Sequence, residues 1–397
     1  MTRTRKRNFY IGTTFLTLLV VLLVGQSLLE RRVDAQSKAA VKAPRFEVDP
    51  MWPKPLPNHW LLGATIGVSA DAQDHIWIIH RSSATLNNSE RGAELNPPTG
   101  ECCKGAPPVL EFDQAGNLLS SWGGPGQGFE WPLSNHGITV DGKGMVWIGG
   151  NDANDGQVLK FTTAGKFVMQ VGFGYANASS NDTWAFRQVA KITVDDANNE
   201  AYISDGYGNH RVVVLDSETG KFKRYWGAYG NKPDDTNLGP YRPSAPPAQQ
   251  FRNPVHCAEV SKDGFVYVCD RTNDRIQVFT REGKFVKEQF IAKESLADGS
   301  VWDIAFSKDP KQAFIYVADG RNQKVHVVDR QSLEVLTSFG DGGRQPGQFF
   351  GAHSIATDSK GNIYTTETYE GKRVQKFVYK GLAPVTKANQ GVVWPRS

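Results

Sequence analysis

Three histidines stand in matching stretches of this 397-residue chain: His136 in HGITVD, His256 in VHCAEV and His353 in AHSIATD. Three protein ligands with a fourth position left open make the donor set of a catalytic zinc site. A lone histidine in a protein channel is ordinarily bonded to a carbonyl or to water. Three of the chain's eight, all in one register, point instead to a shared ion. A second matching position follows about one strand further on, just past the second strand of each stretch. It holds Arg81 after IIH, Asn151 after IGG, Tyr207 after SDG and Arg271 after VCD, with Gly320 and Thr368 completing the set. A phenol beside a Lewis acid can move a proton, and two guanidiniums can clamp an anion.

The elements that must position these residues are repeats. The clearest copy runs over 251–290, FRNPVHCAEVSKDGFVYVCDRTNDRIQVFTREGKFVKEQF. The same frame recurs at 131–172, 187–227, 302–340 and 351–381, and a looser copy spans 61–123. Each copy reads as four short strands joined by Lys-Asp-Gly and Glu-Gly-Lys turns, the pattern of a propeller blade. One blade cannot bury both faces alone, so the copies must stack around an axis. The expected fold is all-β: a six-bladed propeller of four-stranded antiparallel blades over residues 59–381, with a C-terminal tail at 382–397. On the first strand, which lines the channel, the equivalent residues are Ile66, His136, Ala190, His256, Trp302 and His353. Alternate blades of a sixfold ring lie about 120° apart, so the three imidazoles would converge on the axis. The second strand runs back to the same rim, bringing Arg81, Tyr207 and Arg271 with it. Arg211, Arg275 and Arg373 match on the third strand and are expected to be structural hydrogen bonders.

Two inserts break the rhythm, at 82–108 and 228–250. Both are rich in Pro, Asn and Gly, and loops of that length in a compact domain are usually functional or disordered; here they are expected to wall a pocket. Cys257 and Cys269 flank the Lys262-Asp263-Gly264 turn symmetrically, within reach of a bridge, while Cys102 and Cys103 are adjacent in the first insert.

Residues 1–35 combine a basic cluster at Arg3–Arg7, an apolar run from Phe9 to Val24 and a small-residue exit at Val33-Asp34-Ala35. This predicts export, periplasmic or secreted, with the segment either cleaved after Ala35 or retained as a membrane anchor. Residues 36–58 read as an extended linker. The leader's net charge of +4 equals that of the whole chain, so the remainder is formally neutral. A nucleic-acid partner, which needs a basic stripe on the folded domain, is excluded, and a membrane contact is expected only through an uncleaved leader.

The repeats resemble NHL repeats in their Asp-x-x-Asn-x-Arg stretch, as at Asp270–Arg275 and Asp205–Arg211. IIHR, HGITVD, SDGYGNHRVV, PVHCAEV, CDRTNDRIQVF and AHSIATDSKGNIY together resemble the peptidyl-α-hydroxyglycine α-amidating lyase domain, over roughly residues 60–380. The resemblance implies zinc on His136, His256 and His353, catalysis by Tyr207, and Arg81 and Arg271 at the active site. It also implies a peptide or small-molecule substrate ending in an α-hydroxyglycine-like group, cleaved to an amide and glyoxylate. The family's calcium would use the backbone carbonyls of Val68 and Ile138 and an acid after the third histidine, but Ser354 stands there. The family's disulfide positions carry no cysteine. Two further readings follow from the fold: a non-catalytic NHL propeller of the cell envelope, and a different metal-dependent hydrolase.

Overall fold

The computed structural model describes residues 41–395 and, within the leader, residues 22, 25 and 26. The signal peptide or anchor expected over 1–35 therefore lies, apart from those three residues, outside the described residues. So do the first five residues of the expected linker and the last two of the tail. Among the described residues two units emerge: a small one that includes residues 41–43 and 382–386, and a large one of residues 44–381 with 387–395. In the small unit, the Val385 N–H donates to the Val41 carbonyl at 2.8 Å.

The large unit is a six-bladed propeller. Each blade is a four-stranded sheet whose neighbouring strands pair antiparallel. The innermost strands are Thr65–Ala70, Asn135–Val140, Val189–Asp195, Val255–Val260, Asp303–Phe306 and Ala352–Thr357. They touch one another in chain order, and the last returns to the first, so they form a closed ring around the axis. Apolar residues fill the seams between blades. Ile66, Trp77 and Ile79 of blade one meet Ile138, Val146 and Ile148 of blade two, for example. Tyr202, Val212 and Val214 of blade three meet Ala258, Val266 and Val268 of blade four in the same way. These strands carry apolar residues on both faces because each blade is sandwiched between two others.

Inner turns are built on a repeated carboxylate. Asp71 and Asp141 each accept a hydrogen bond at 2.9 Å from the indole of Trp77 or Trp147, six residues on, and Asp358 accepts one at 3.1 Å from the Tyr364 hydroxyl. The arginines that open the third strands bind back to the ends of the second: buried Arg211 to Asp205 at 2.8 Å, buried Arg275 to Asp270 at 2.7 Å and half-buried Arg373 to Glu367 at 2.6 Å. Cys257 and Cys269 face each other in register and are disulfide-bonded, with Cα atoms 4.8 Å apart; Cys102 and Cys103 are bonded as well.

Residues 42–49, inside the segment expected to be an extended linker, instead form a strand, Lys42–Asp49. It is the outermost strand of blade six, beside Arg373–Pro384. The lysines and prolines of the surrounding segment mask an alternation in which Pro44, Phe46 and Val48 point inward. The blade that the C-terminal repeat leaves one strand short is thus completed from the N-terminal side, which closes the circle. Phe46 packs against Tyr316 and Phe339 of blade five, with ring centroids 5.4 and 5.3 Å away. Phe46→Ala is expected to lower the unfolding free energy by about 3–5 kcal/mol through the cavity it leaves. A urea midpoint equal to that of the parent protein would show that the closing strand is dispensable.

Candidate metal centre and active site

The three histidines are set by irregularities at one register of the inner strands. In blades one, two, three, four and six, pairing with the second strand slips by one residue at this point. A bulge of this kind bends its strand and re-aims a side chain. Ile66, Ala190, His256 and His353 are the extra residues of their blades, and in blade two the slip falls just after His136. There Gly137 has φ +70°, and a Cβ on it would lie 2.6 Å from the Ala190 carbonyl oxygen. Only glycine allows that approach without strain.

All three imidazoles are buried, and their ring centroids are 4.8–5.3 Å apart. One ring nitrogen from each can be chosen so that the three lie within 4.8 Å of one another. Each histidine leans on the following blade at the same register. His136 Nδ1 meets the Ala190 carbonyl at 2.6 Å, and His256 Nδ1 meets the Trp302 carbonyl. His353 faces the Ile66 carbonyl, which acts on its titration, although the pair falls outside hydrogen-bonding geometry. A carbonyl accepts only, so Nδ1 of His136 and His256 must carry the proton, leaving Nε2 with its lone pair free. This is the outer-shell arrangement that orients imidazole ligands of metals.

Burial, together with the Arg81 and Arg271 charges, lowers the His136 pKa to about 3. His256 and His353 are likewise held well below the usual imidazole range, chiefly by burial. All three are therefore neutral at neutral pH, the form that binds metal.

Tyr207 stands directly over this trio. Its hydroxyl lies 3.2 Å from His136 Nε2 and 3.0 Å from His256 Nε2, and Arg271 Nη1 donates to it at 3.1 Å. The Arg271 guanidinium stacks over the Trp302 ring at 4.4 Å. Arg81 donates to Asn151 Oδ1 at 2.8 Å. Both arginines have a buried Nε with no partner among the described residues. Arg81, His136, Tyr207, Arg271 and His353 line one cavity of about 130 Å³, together with Asn151, Trp302, Thr368 and Tyr369. Of these, Tyr369 was not singled out from sequence. It follows Thr368 in a turn that the repeat frame leaves unspecified, so only its place next to a rim position could have marked it.

The turns carrying Tyr207 and Arg271 are braced by the repeat itself. Asp205 holds Asn209 and Arg211 at 2.8 Å on either side of the Tyr207 turn. Asp270 holds Asn273 at 2.8 Å and Arg275 at 2.7 Å around Arg271. Gly206 lies so close to the Val255 backbone that no Cβ would fit, which presses the Tyr207 turn onto the strand bearing His256.

Val68 and Ile138 are buried in inner strands, paired in register with Ile78 and Ile148. Ser354 offers no carboxylate there. Its hydroxyl donates to Asp303 at 2.7 Å, and Asp303 pairs with the buried Lys191 at 2.7 Å. A second group of possible ligands, Asp71, His75 and Glu111, is already engaged by Trp77, by its own turn and by Ser120.

No protein-family model matches the chain. Peptidyl-glycine alpha-amidating monooxygenase A of Xenopus laevis is 34% identical over 154 residues, which are 38% of this chain and 15% of that protein. The Mus musculus enzyme is 28% identical over 237 residues, 58% of this chain and 22% of its own length. The chain is a propeller homologous to part of these proteins. NHL repeat-containing protein 3 of Mus musculus is also related, at 26% identity over 267 residues, 64% of this chain and 62% of that one. The chain thus spans under a quarter of the monooxygenases it matches and under two thirds of the NHL protein.

The buried imidazoles make a pH prediction for the metal-free protein. Unfolded histidines protonate near pH 6.5, whereas folded His136 and His80 resist protonation down to about 3 and about 4. Stability is therefore full above pH 6.5 and falls as the pH drops toward 4, by up to about 1.4 kcal/mol per pH unit for each such group. Urea unfolding from pH 7.5 to 4.5 should show this slope, and His136→Gln should flatten it. A stability independent of pH over that range would contradict neutral burial.

Proposed function

We propose that the chain is a zinc-dependent lyase that cleaves the C–N bond of peptidyl-α-hydroxyglycine-like carbinolamides, yielding an amide and glyoxylate. The observation that carries this reading is a phenol hydroxyl placed within 3.2 Å of two buried, neutral imidazoles and bonded to a guanidinium. The identity with amidating monooxygenases over part of the chain supports it.

His136, His256 and His353 would hold the metal through Nε2; the neutral state of all three and the fixed Nδ1 protons of His136 and His256 suit that role. Zinc in such a site supplies Lewis acidity toward a bound hydroxyl. The rest is the work of the chain's own groups. Arg81 and Arg271 bind the substrate carboxylate and turn its α-carbon toward the imidazoles. Tyr207 relays a proton: its oxygen takes the hydroxyl proton while its own phenolic proton passes to the amide nitrogen, as the carbon–oxygen double bond forms and the C–N bond breaks. Electrons and atoms balance without an oxidant, because a carbinolamide already holds its products at the aldehyde level. The cavity of about 130 Å³ admits the hydroxyglycine end and leaves the acyl chain at the mouth. Export by the leader belongs to the same reading, and two bonded cysteine pairs are what an oxidising compartment permits.

Zinc should bind at about one ion per chain, and His256→Ala should lose most of it while keeping the fold, since blade stacking carries the stability. Zinc-loaded protein should release glyoxylate from a peptidyl-α-hydroxyglycine, and Tyr207→Phe should slow turnover by about 10²–10⁴-fold with zinc content unchanged. Failure of the zinc-replete protein to release glyoxylate from any such compound would leave the binding-module or other metal-dependent readings.

A further inference from the structure

Beside the axial site, the second insert builds a cavity that the lyase chemistry does not use. It has a volume of about 270 Å³, and its wall includes His210, Tyr241, Arg252, Asn253 and Thr272. A companion cavity of about 280 Å³ shares Tyr241 and Arg252 and adds Arg242 and Lys293. Two residues make this wall continuous with the active site. Asn253 donates through Nδ2 to the carbonyls of Gly206, Tyr207 and Asn209, at 2.9, 3.1 and 3.1 Å. Thr272 follows Arg271 in the chain and donates to the Asn253 carbonyl at 2.7 Å. An acyl chain that leaves the axial cavity on this side therefore runs along the Asn253–Thr272 wall toward the insert.

The cavity's charge is cationic. Arg252 is half-buried, and no carboxylate lies within ion-pairing distance of it among the described residues. Its Nε donates to Asn273 at 2.9 Å and its Nη1 to the Gly239 carbonyl, leaving Nη2 without a protein acceptor among those residues. The nearby Asp270 carboxylate is held by Arg275 at 2.7 Å and Asn273 at 2.8 Å. A half-buried guanidinium anchored on two sides and open on the third is preorganised for a carboxylate.

We propose that the second insert forms a substrate subsite in which Arg252 binds an acidic side chain one or two residues before the hydroxyglycine end. The proposal rests on the lyase reading for the place of the reacting group, and on Arg252 and the insert for selectivity. Arg252 is a specificity residue here, not a catalytic one.

The test uses the zinc-loaded full chain and three substrates: N-acetyl-α-hydroxyglycine, and two acetylated peptidyl-hydroxyglycines with Glu or Gln at both preceding positions. The wild-type protein should prefer the Glu peptide in kcat/KM by about tenfold or more, the size of a charge-assisted hydrogen bond. Arg252→Met should reduce that preference to near one and leave turnover of N-acetyl-α-hydroxyglycine unchanged. Equal rates on the Glu and Gln peptides, with the small substrate turning over, overturn the subsite and spare the lyase reading; this comparison needs no variant. If none of the three turns over, the lyase reading fails, and equilibrium binding of acetyl-Glu-Glu-amide and acetyl-Gln-Gln-amide decides the subsite. Tighter binding of the Glu peptide that Arg252→Met abolishes supports it, and equal affinity overturns it.

Discussion

Everything at the axis depends on one contact repeated around the ring: a histidine on one blade facing the carbonyl of the equivalent residue on the next. His136 meets Ala190 and His256 meets Trp302 in this way, and His353 faces Ile66. The three residues that supply the carbonyls occupy the register positions that hold no histidine. The alternation of histidine and non-histidine blades is therefore structural as well as chemical. The bulges turn side chains off the pleat, and in blades one and three the bulged residue, Ile66 or Ala190, is the one whose carbonyl faces the histidine of the preceding blade.

The second layer of the site is held by the most ordinary part of the repeat. The Asp–Asn–Arg braces recur because every rim turn needs its buried polar groups satisfied. In blades three and four, the same braces carry Tyr207 and Arg271 between their members. A turn clamped on both sides loses little further entropy when a ligand arrives, which suits a phenol that must sit over two imidazoles.

The blade count, the inner-strand register and the meeting of His136, His256, His353, Tyr207 and Arg271 were legible because a repeat of about 40 residues fixes which positions face the axis. The bulges were not, since one extra residue leaves no mark in composition apart from Gly137. The strand at 42–49 was hidden by the lysines and prolines in and around it, which read as linker until Arg373–Pro384 supplies an edge to pair with. The pocket walled by the second insert was expected, but Tyr369 and the part played by Arg252 escaped for a related reason. Inserts and rim turns have no counterpart in the other blades, so the repeat frame gives them no coordinates.

Lys191 shows a different limit, because its role depends on four blades at once. It lies one position past the histidine register in blade three and pairs with Glu259 of blade four at 2.8 Å and Asp303 of blade five at 2.7 Å. Ser354 of blade six completes the group through Asp303. Burial alone would drive a lysine toward its neutral form, but the two carboxylates outweigh this and raise its pKa. An ammonium thus already occupies the company of the carboxylates below the imidazoles. This gives physical sense to a serine where a cation-binding acid was expected. A third carboxylate beside Glu259 and Asp303 would add buried negative charge that a single lysine does not balance, whereas a hydroxyl donates one hydrogen bond to Asp303 and adds no charge. Internal ion pairs from Lys191, one position past the histidine register, thus link blades three, four and five, and the cavity beside the histidines is the one that Arg81, Tyr207 and Arg271 line.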